Sequence, residues 1–241
     1  MLPLVVAFDC DGVLLDSNGM KIKAFTDALS SYPADVVARF STFQQASFGL
    51  SRYRLVDRFF TDFLGRQAEA GEKERVLAAF GAICADLYPR QSLTEGALAA
   101  LERLAAMSIP MFVVSGSDQA ELRAVLRAIG LARFFRTIYG SPETKSANLA
   151  RVGREAPAVR TVFVGDAEAD WKAAREHGCD FYYLSTWAAD RLGMARLKAE
   201  HGFVEVGGLP AFADALLGGG DGLEARMNAV DEPSPSHGIA R

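Results

Sequence analysis

The segment Leu4-Val5-Val6-Ala7-Phe8-Asp9-Cys10-Asp11-Gly12-Val13 constrains this chain more than any other. Five consecutive apolar residues suit a strand covered on both faces, as in a parallel sheet. That strand runs into two carboxylates one residue apart, which on an extended backbone point to the same side. Two like charges held together at a strand end are costly unless something offsets them, and a bound cation is the usual remedy. Gly12 then lets the chain turn sharply away. Cys10 faces the opposite side and reads as packing.

The remainder of the chain supplies the sheet that this strand needs. From about Ser92, helix Thr94–Met107 leads to strand Met111–Val114, and helix Gln119–Ile129 ends at Gly130 before a strand near Thr137–Tyr139. Helix Lys145–Arg154 precedes strand Val159–Val164, helix Ala169–His177 ends at Gly178, and strands Phe181–Leu184 and Phe203–Val206 close the series. Such alternation predicts an α/β fold with a doubly wound, Rossmann-like parallel sheet. From Met20 to Leu87 the pattern is helical instead. Ile22, Phe25 and Leu29 share one face, as do Val36, Val37, Phe40 and Phe43. Leu55, Val56, Phe59, Phe60 and Phe63 form a third stripe, and Val76, Leu77, Phe80, Ile83 and Cys84 a fourth. Four short helices without a strand predict an all-helical insertion whose phenylalanines are its own core. The expected organisation is therefore a core of residues 1–17 plus 91–217, a helical insert of residues 18–90, and a flexible Gly/Pro/Ser-rich tail of residues 218–241.

Composition removes several classes of function. A net charge of −4 gives no basis for nucleic acid or an anionic membrane as partner. No run approaches the length of a membrane span, and the apolar start, broken by Asp9, is not read as a signal peptide. Three scattered cysteines read as reduced thiols in a cytoplasmic protein.

Four strand ends carry polar residues out of keeping with their apolar lead-ins. They are Asp9 with Asp11; Ser115-Gly116-Ser117 after Met111-Phe112-Val113-Val114; Lys145; and Asp166 with Asp170 after Val162-Phe163-Val164-Gly165. In a parallel sheet these loops converge on one rim. Together they offer a nucleophile, a cation site, an anion cradle and a positive counter-charge, a set suited to phosphoryl transfer. Singly, each has a bland alternative: strand-end aspartates and serines cap helices, and a lone lysine is usually solvated.

In order and spacing these residues resemble the haloacid dehalogenase superfamily, populated mainly by phosphatases. Asp9, Asp11, Gly12 and Val13 match its first motif, Ser115 its second, Lys145 its third, and Asp166 and Asp170 its fourth. The helical insert is similar to the C1 cap of that family. The resemblance implies that Asp9 attacks phosphorus and that Asp11 serves as acid and base. It also implies that Asp9, the Asp11 carbonyl and Asp166 hold Mg²⁺, that Ser115 and Gly116 hold phosphate oxygens, that Lys145 balances charge, and that Asp170 supports the site. The absence of an acid at the Asp11 position in the dehalogenases of this family argues against dehalogenation.

Within the insert, Gly49-Leu50-Ser51-Arg52 resembles the cap loop of β-phosphoglucomutases, so Arg52 is a candidate substrate contact. Lys21, where related enzymes often carry a histidine, is a second candidate contact or a hinge-surface residue. The expectation is a Mg²⁺-dependent phosphatase acting on a small phosphorylated metabolite, either a phosphoglycolate-like acid or a sugar phosphate, as a monomer or homodimer. A phosphosugar mutase and a non-catalytic phosphate-binding module are the alternatives.

Overall fold

The computed structural model describes residues 4–158 and 160–218. Six strands form one parallel sheet: β1 (Leu4–Phe8), β2 (Met111–Asp118), β3 (Thr137–Ser141), β4 (Arg160–Gly165), β5 (Asp180–Leu184) and β6 (Val204–Val206), in the order β3-β2-β1-β4-β5-β6. The order reverses between β1 and β4, so the carboxyl ends of these two strands border the crevice where doubly wound sheets bind their ligands. Asp9 and Asp166 lie there. The apolar runs are buried on both sides, as expected. Val6, Phe8, Val113 and Val164 pack against helices α5 (Ala97–Ala106), α6 (Gln119–Ala128) and α10 (Leu209–Gly218). Val5, Ala7, Phe112 and Phe163 pack against α7 (Lys145–Glu155), α8 (Glu168–Glu176) and α9 (Arg191–His201).

Three expectations about elements change. Strand β2 runs through Ser115-Gly116-Ser117 to Asp118 rather than stopping at Val114, because Asp118 pairs with Ser141 of β3 after a shift in register. The serines are thus on an irregular strand end, not in a loop after the strand. Helices α9 and α10 lie where the sequence pattern called none. Gly218 ends α10 instead of opening a tail, and the remainder of the expected tail, residues 219–241, lies outside the described residues, as does Val159.

Between β1 and α5 the chain is helical, with α1 (Asn18–Ala28), α2 (Ala34–Ala46), α3 (Arg52–Arg58) continuing into a π-helical turn at Phe59–Phe63, and α4 (Glu72–Leu87). The aromatic stripes form a separate core. Phe25 and Phe80 stack with centroids 4.0 Å apart, and Phe40 meets Phe59 edge-on at 5.2 Å. The two connections to the sheet run side by side: Asp16 N–H donates to the Ser92 carbonyl at 3.0 Å and Thr94 N–H to the Leu14 carbonyl at 3.0 Å. Any displacement of the helices relative to the sheet bends this pair of connections together.

Glu72, the first residue of α4, fastens the preceding loop to the bundle. Its carboxylate accepts from both Arg66 Nη atoms at 2.6 and 2.9 Å, from Glu69 N–H at 2.7 Å and from the Tyr32 hydroxyl at 3.2 Å. The Arg66 hydrogen bonds, then that of the Glu69 N–H, hold its pKa down at about 2, against an ordinary 4.5. A carboxylate with a depressed folded-state pKa contributes stability above its unfolded pKa and loses it as pH falls through the folded one. The stability gap between wild type and Glu72→Gln, from urea denaturation, is therefore expected to be full above pH 4.5 and to close as pH falls toward about 2. A gap that does not depend on pH would contradict this role.

Candidate active site

Four carboxylates and two ammonium groups are buried together at the carboxyl edge of the sheet: Asp9, Asp11, Asp166 and Asp170 against Lys21 and Lys145. Lys145, at the start of α7 behind its cap Thr144, reaches Asp9 Oδ2 at 2.9 Å and Asp170 Oδ1 at 2.5 Å. Burial alone lowers the Lys145 pKa, but Asp170 and Asp9 outweigh it and hold the ammonium charged. Asp170 also accepts from the Ala167 N–H at 3.2 Å, which pins the turn that carries Asp166. Burial, with the charge of Asp9 close by, pushes the carboxyls of both Asp166 and Asp170 upward. Four buried carboxylates against two ammonium groups leave more negative charge than the local cations balance.

This surplus suits a divalent cation. Asp9, Asp166 and Asp170 each present one oxygen within 4.8 Å of the others. Asp170 is occupied by Lys145, whereas Asp9 Oδ1 and Asp166 Oδ1 are buried without a hydrogen-bond partner. Buried acceptors without donors are rare unless an ion or water satisfies them. Hard carboxylate oxygens this close together are a fit for Mg²⁺ or a similar ion.

Asp11 is oriented differently. Its carboxylate accepts from Ser17 Oγ at 2.5 Å, from Ser117 Oγ at 2.7 Å and from Lys21 Nζ at 2.8 Å. Burial raises its pKa, but Lys21 and the three hydrogen bonds prevail and keep it below the usual carboxylate range. Lys21, from α1, is therefore not a hinge-surface residue: it is buried over the Tyr88 ring at 4.0 Å and bonds both Asp11 and Ser117. Ser115 is buried beside Asp9 and Asp11, with Gly116 next to it, in a cavity that also reaches Arg52. Cys10 behaves as packing: it accepts from the Tyr88 hydroxyl at 3.4 Å, and burial pushes its thiol up.

The helical insert sits directly on these groups. A Cβ added at Gly116 would lie 2.5 Å from the Gly49 carbonyl oxygen, so the loop carrying Gly49 and Arg52 can rest there only because Gly116 has no side chain. Gly12, at φ +77°, would bring a Cβ within 2.1 Å of Asp166 Oδ2. Arg52 is buried against the Phe80 face at 4.6 Å and pairs with Glu121 of α6 at 2.7 Å.

Asn18 is among the polar residues of the site that were not singled out from the sequence for any role of their own. Asn18, first in α1, donates to Asp166 Oδ2 at 2.7 Å and to the Trp187 carbonyl at 2.9 Å. Its partner lies 148 positions away, so no local signal could have marked it.

The family model described as haloacid dehalogenase-like hydrolase matches residues 4–178. This chain belongs to the haloacid dehalogenase-like hydrolases. As a member of them it is an enzyme. It is 29% identical to a phosphoglycolate phosphatase from Rhodospirillum rubrum over 248 residues, covering 97% of this chain and 100% of that one. It is likewise 29% identical to a phosphoglycolate phosphatase from Rhodobacter capsulatus over 202 residues, 75% of this chain and 83% of the other. A crystal structure described as a predicted phosphatase from Clostridium acetobutylicum shares the fold with a TM-score of 0.71 at 16% identity, covering 90% of this chain and all of that one.

Asn18 gives the site a test of its own. Residues that orient a metal ligand typically contribute about 10–100-fold to metal affinity. Asn18→Ala is accordingly expected to weaken Mg²⁺ binding, measured calorimetrically without substrate, by about 10-fold or more. Unchanged affinity in a folded variant would show that Asp166 does not depend on Asn18.

Proposed function

We propose that this haloacid dehalogenase-like phosphatase hydrolyses the phosphomonoester of a small metabolite through an aspartyl-phosphate on Asp9, with Mg²⁺ as cofactor. The observation that carries the reading is the state of Asp9. It is buried and fixed by Lys145 through one oxygen, while its other oxygen has no partner. A nucleophile needs this combination of fixed orientation and an unoccupied lone pair.

In this reading Ser115 and the Gly116 N–H hold the phosphate oxygens next to Asp9, and Lys145, paired with Asp9, balances charge as the P–O bond forms. Asp9 displaces the alcohol and is itself phosphorylated. Asp11 passes a proton to the departing oxygen and recovers one from the water that cleaves the acyl phosphate. The depressed Asp11 pKa favours the ionised form that the second step requires. Proton donation in the first step therefore calls for a weakened Lys21–Asp11 pair when substrate is bound. Asp170 holds Lys145 in place. Held by Asp9, the Asp11 carbonyl and Asp166, Mg²⁺ would supply the positive charge that offsets the phosphate oxygens.

Residues 18–90 serve here as a lid on a core formed by residues 1–17 and 91–217. The lid excludes water and brings Lys21 and Arg52 to the substrate side of the site. Among the described residues no helix is long and apolar enough to cross a membrane. Three free cysteines suit a reducing cytoplasm.

Asp9→Asn removes the nucleophile with almost no change in shape. Its rate of phosphate release with Mg²⁺ is expected to fall by about 10³-fold or more, as for loss of an essential catalytic group, while circular dichroism stays that of the folded protein. Near-normal release would overturn the assignment.

A further inference from the structure

The cavity between insert and core, about 40 Å³, takes in the phosphate position and has a wall that includes Gln44 and Arg52 among apolar side chains. Both cations that line the cavity are already matched by a carboxylate. Arg52 Nη2 lies 2.7 Å from Glu121 Oε1 with both side chains largely buried, and Lys21 lies 2.8 Å from Asp11. A substrate carrying a second negative charge would meet no unpaired cation on that wall. At Arg52 it would also have to compete with a fixed carboxylate in a poorly solvated place, where like charges repel strongly.

Gln44 has the opposite need. It is 2% exposed, and its Nε2 donates to the Lys21 carbonyl at 3.3 Å. A carbonyl can only accept, so this contact fixes which end of the amide is nitrogen. Its Oε1 is then left buried with no donor. A buried acceptor of this kind on a cavity wall calls for an O–H from whatever fills the cavity. Arg52 has only one nitrogen engaged by Glu121, so the pair can still donate to a neutral oxygen without offering net charge.

We propose that the leaving group is an uncharged, hydroxyl-bearing one, a polyol or sugar, and that Gln44 and the Arg52–Glu121 pair select it against phosphorylated carboxylic acids. A substrate hydroxyl donates to Gln44 Oε1, and substrate oxygens accept from Arg52. The carbon skeleton lies against the apolar lining near Phe25 and Leu55. Glu121 belongs to α6 of the core and Gln44 to α2 of the insert, so selection is complete only when the lid is down. This inference rests on the phosphatase reading above and narrows its substrate.

The test is steady-state phosphate release by the full chain with Mg²⁺ on glucose 6-phosphate, glycerol 3-phosphate, 2-phosphoglycolate and 4-nitrophenyl phosphate. The wild type is expected to show kcat/KM at least about 10-fold higher for the better neutral-alcohol phosphate than for 2-phosphoglycolate. Glu121→Gln unpairs Arg52 and should move that ratio about 10-fold toward 2-phosphoglycolate, mainly through KM. Gln44→Met keeps the volume but removes the acceptor. It should cost the neutral-alcohol phosphate about 10-fold more in kcat/KM than 4-nitrophenyl phosphate, a difference that general loosening of the lid would not produce. A wild-type preference for 2-phosphoglycolate overturns the proposal, as do ratios that neither variant moves. Release from 4-nitrophenyl phosphate alone also overturns it and leaves the phosphatase reading standing, whereas release from none of the four defeats both.

Discussion

The structure depends on the contact between Lys145 and two buried aspartates, Asp9 and Asp170. Taking three charges out of water is costly, and the cost is met only if each finds its partner at close range. Lys145 comes from the helix after β3, Asp9 from the end of β1 and Asp170 from the helix after β4. The contact therefore requires these three segments to converge, as the strand order β3-β2-β1-β4 ensures. The same contact leaves Asp9 Oδ1 and Asp166 Oδ1 without donors in a buried space. Stability and reactivity are thus opposed locally: the ammonium anchors the site, and the surplus carboxylate oxygens make it receptive to a cation and to phosphorus.

A second set of charges sits between insert and core, each pair spanning the two parts. Lys21 of α1 meets Asp11 after β1, Arg52 of α3 meets Glu121 of α6, and the Tyr53 hydroxyl donates to Asp118 at 3.0 Å. Asn18 adds a hydrogen bond from the first turn of α1 to Asp166. The Lys21, Arg52 and Asn18 contacts are buried when the insert rests on the core, the Tyr53 contact is exposed, and each loses its partner if the insert lifts. The position of the insert is consequently coupled to the orientation of the groups that face substrate. The close approach of Gly49 to Gly116 makes the seal, since any side chain at Gly116 would meet the Gly49 backbone.

The sequence displayed most of this frame openly. Apolar runs such as Val162-Phe163-Val164 mark central strands because both faces must be covered, and the aromatic stripes mark the insert because its helices share one core. What stayed hidden has physical reasons. Of α9 only Met194 is buried, so no apolar stripe announces that helix. The extension of β2 through Ser115-Gly116-Ser117-Asp118 contains no residue type that favours strands and exists because β3 pairs with it. Within the site, Asp9, Asp11, Lys145 and Asp166 were readable as exceptions at the ends of apolar strands. Asn18, Gln44 and Glu121 were not, because a polar residue on a helix looks solvated until the tertiary fold buries it. Lys21 was noticed, but its partner was not: the contact with Asp11 depends on the insert folding back over the strand that precedes it.

The central claim is that Asp9 becomes covalently phosphorylated. Borohydride reduces an acyl phosphate to the corresponding alcohol, so an aspartyl-phosphate trapped during turnover is read as homoserine by peptide mass spectrometry. Acid-quenched reactions containing Mg²⁺ and a turned-over phosphomonoester are predicted to yield homoserine at position 9, and only when substrate is present. Sustained phosphate release with position 9 unmodified and the label at another carboxylate, or at none, would contradict the account.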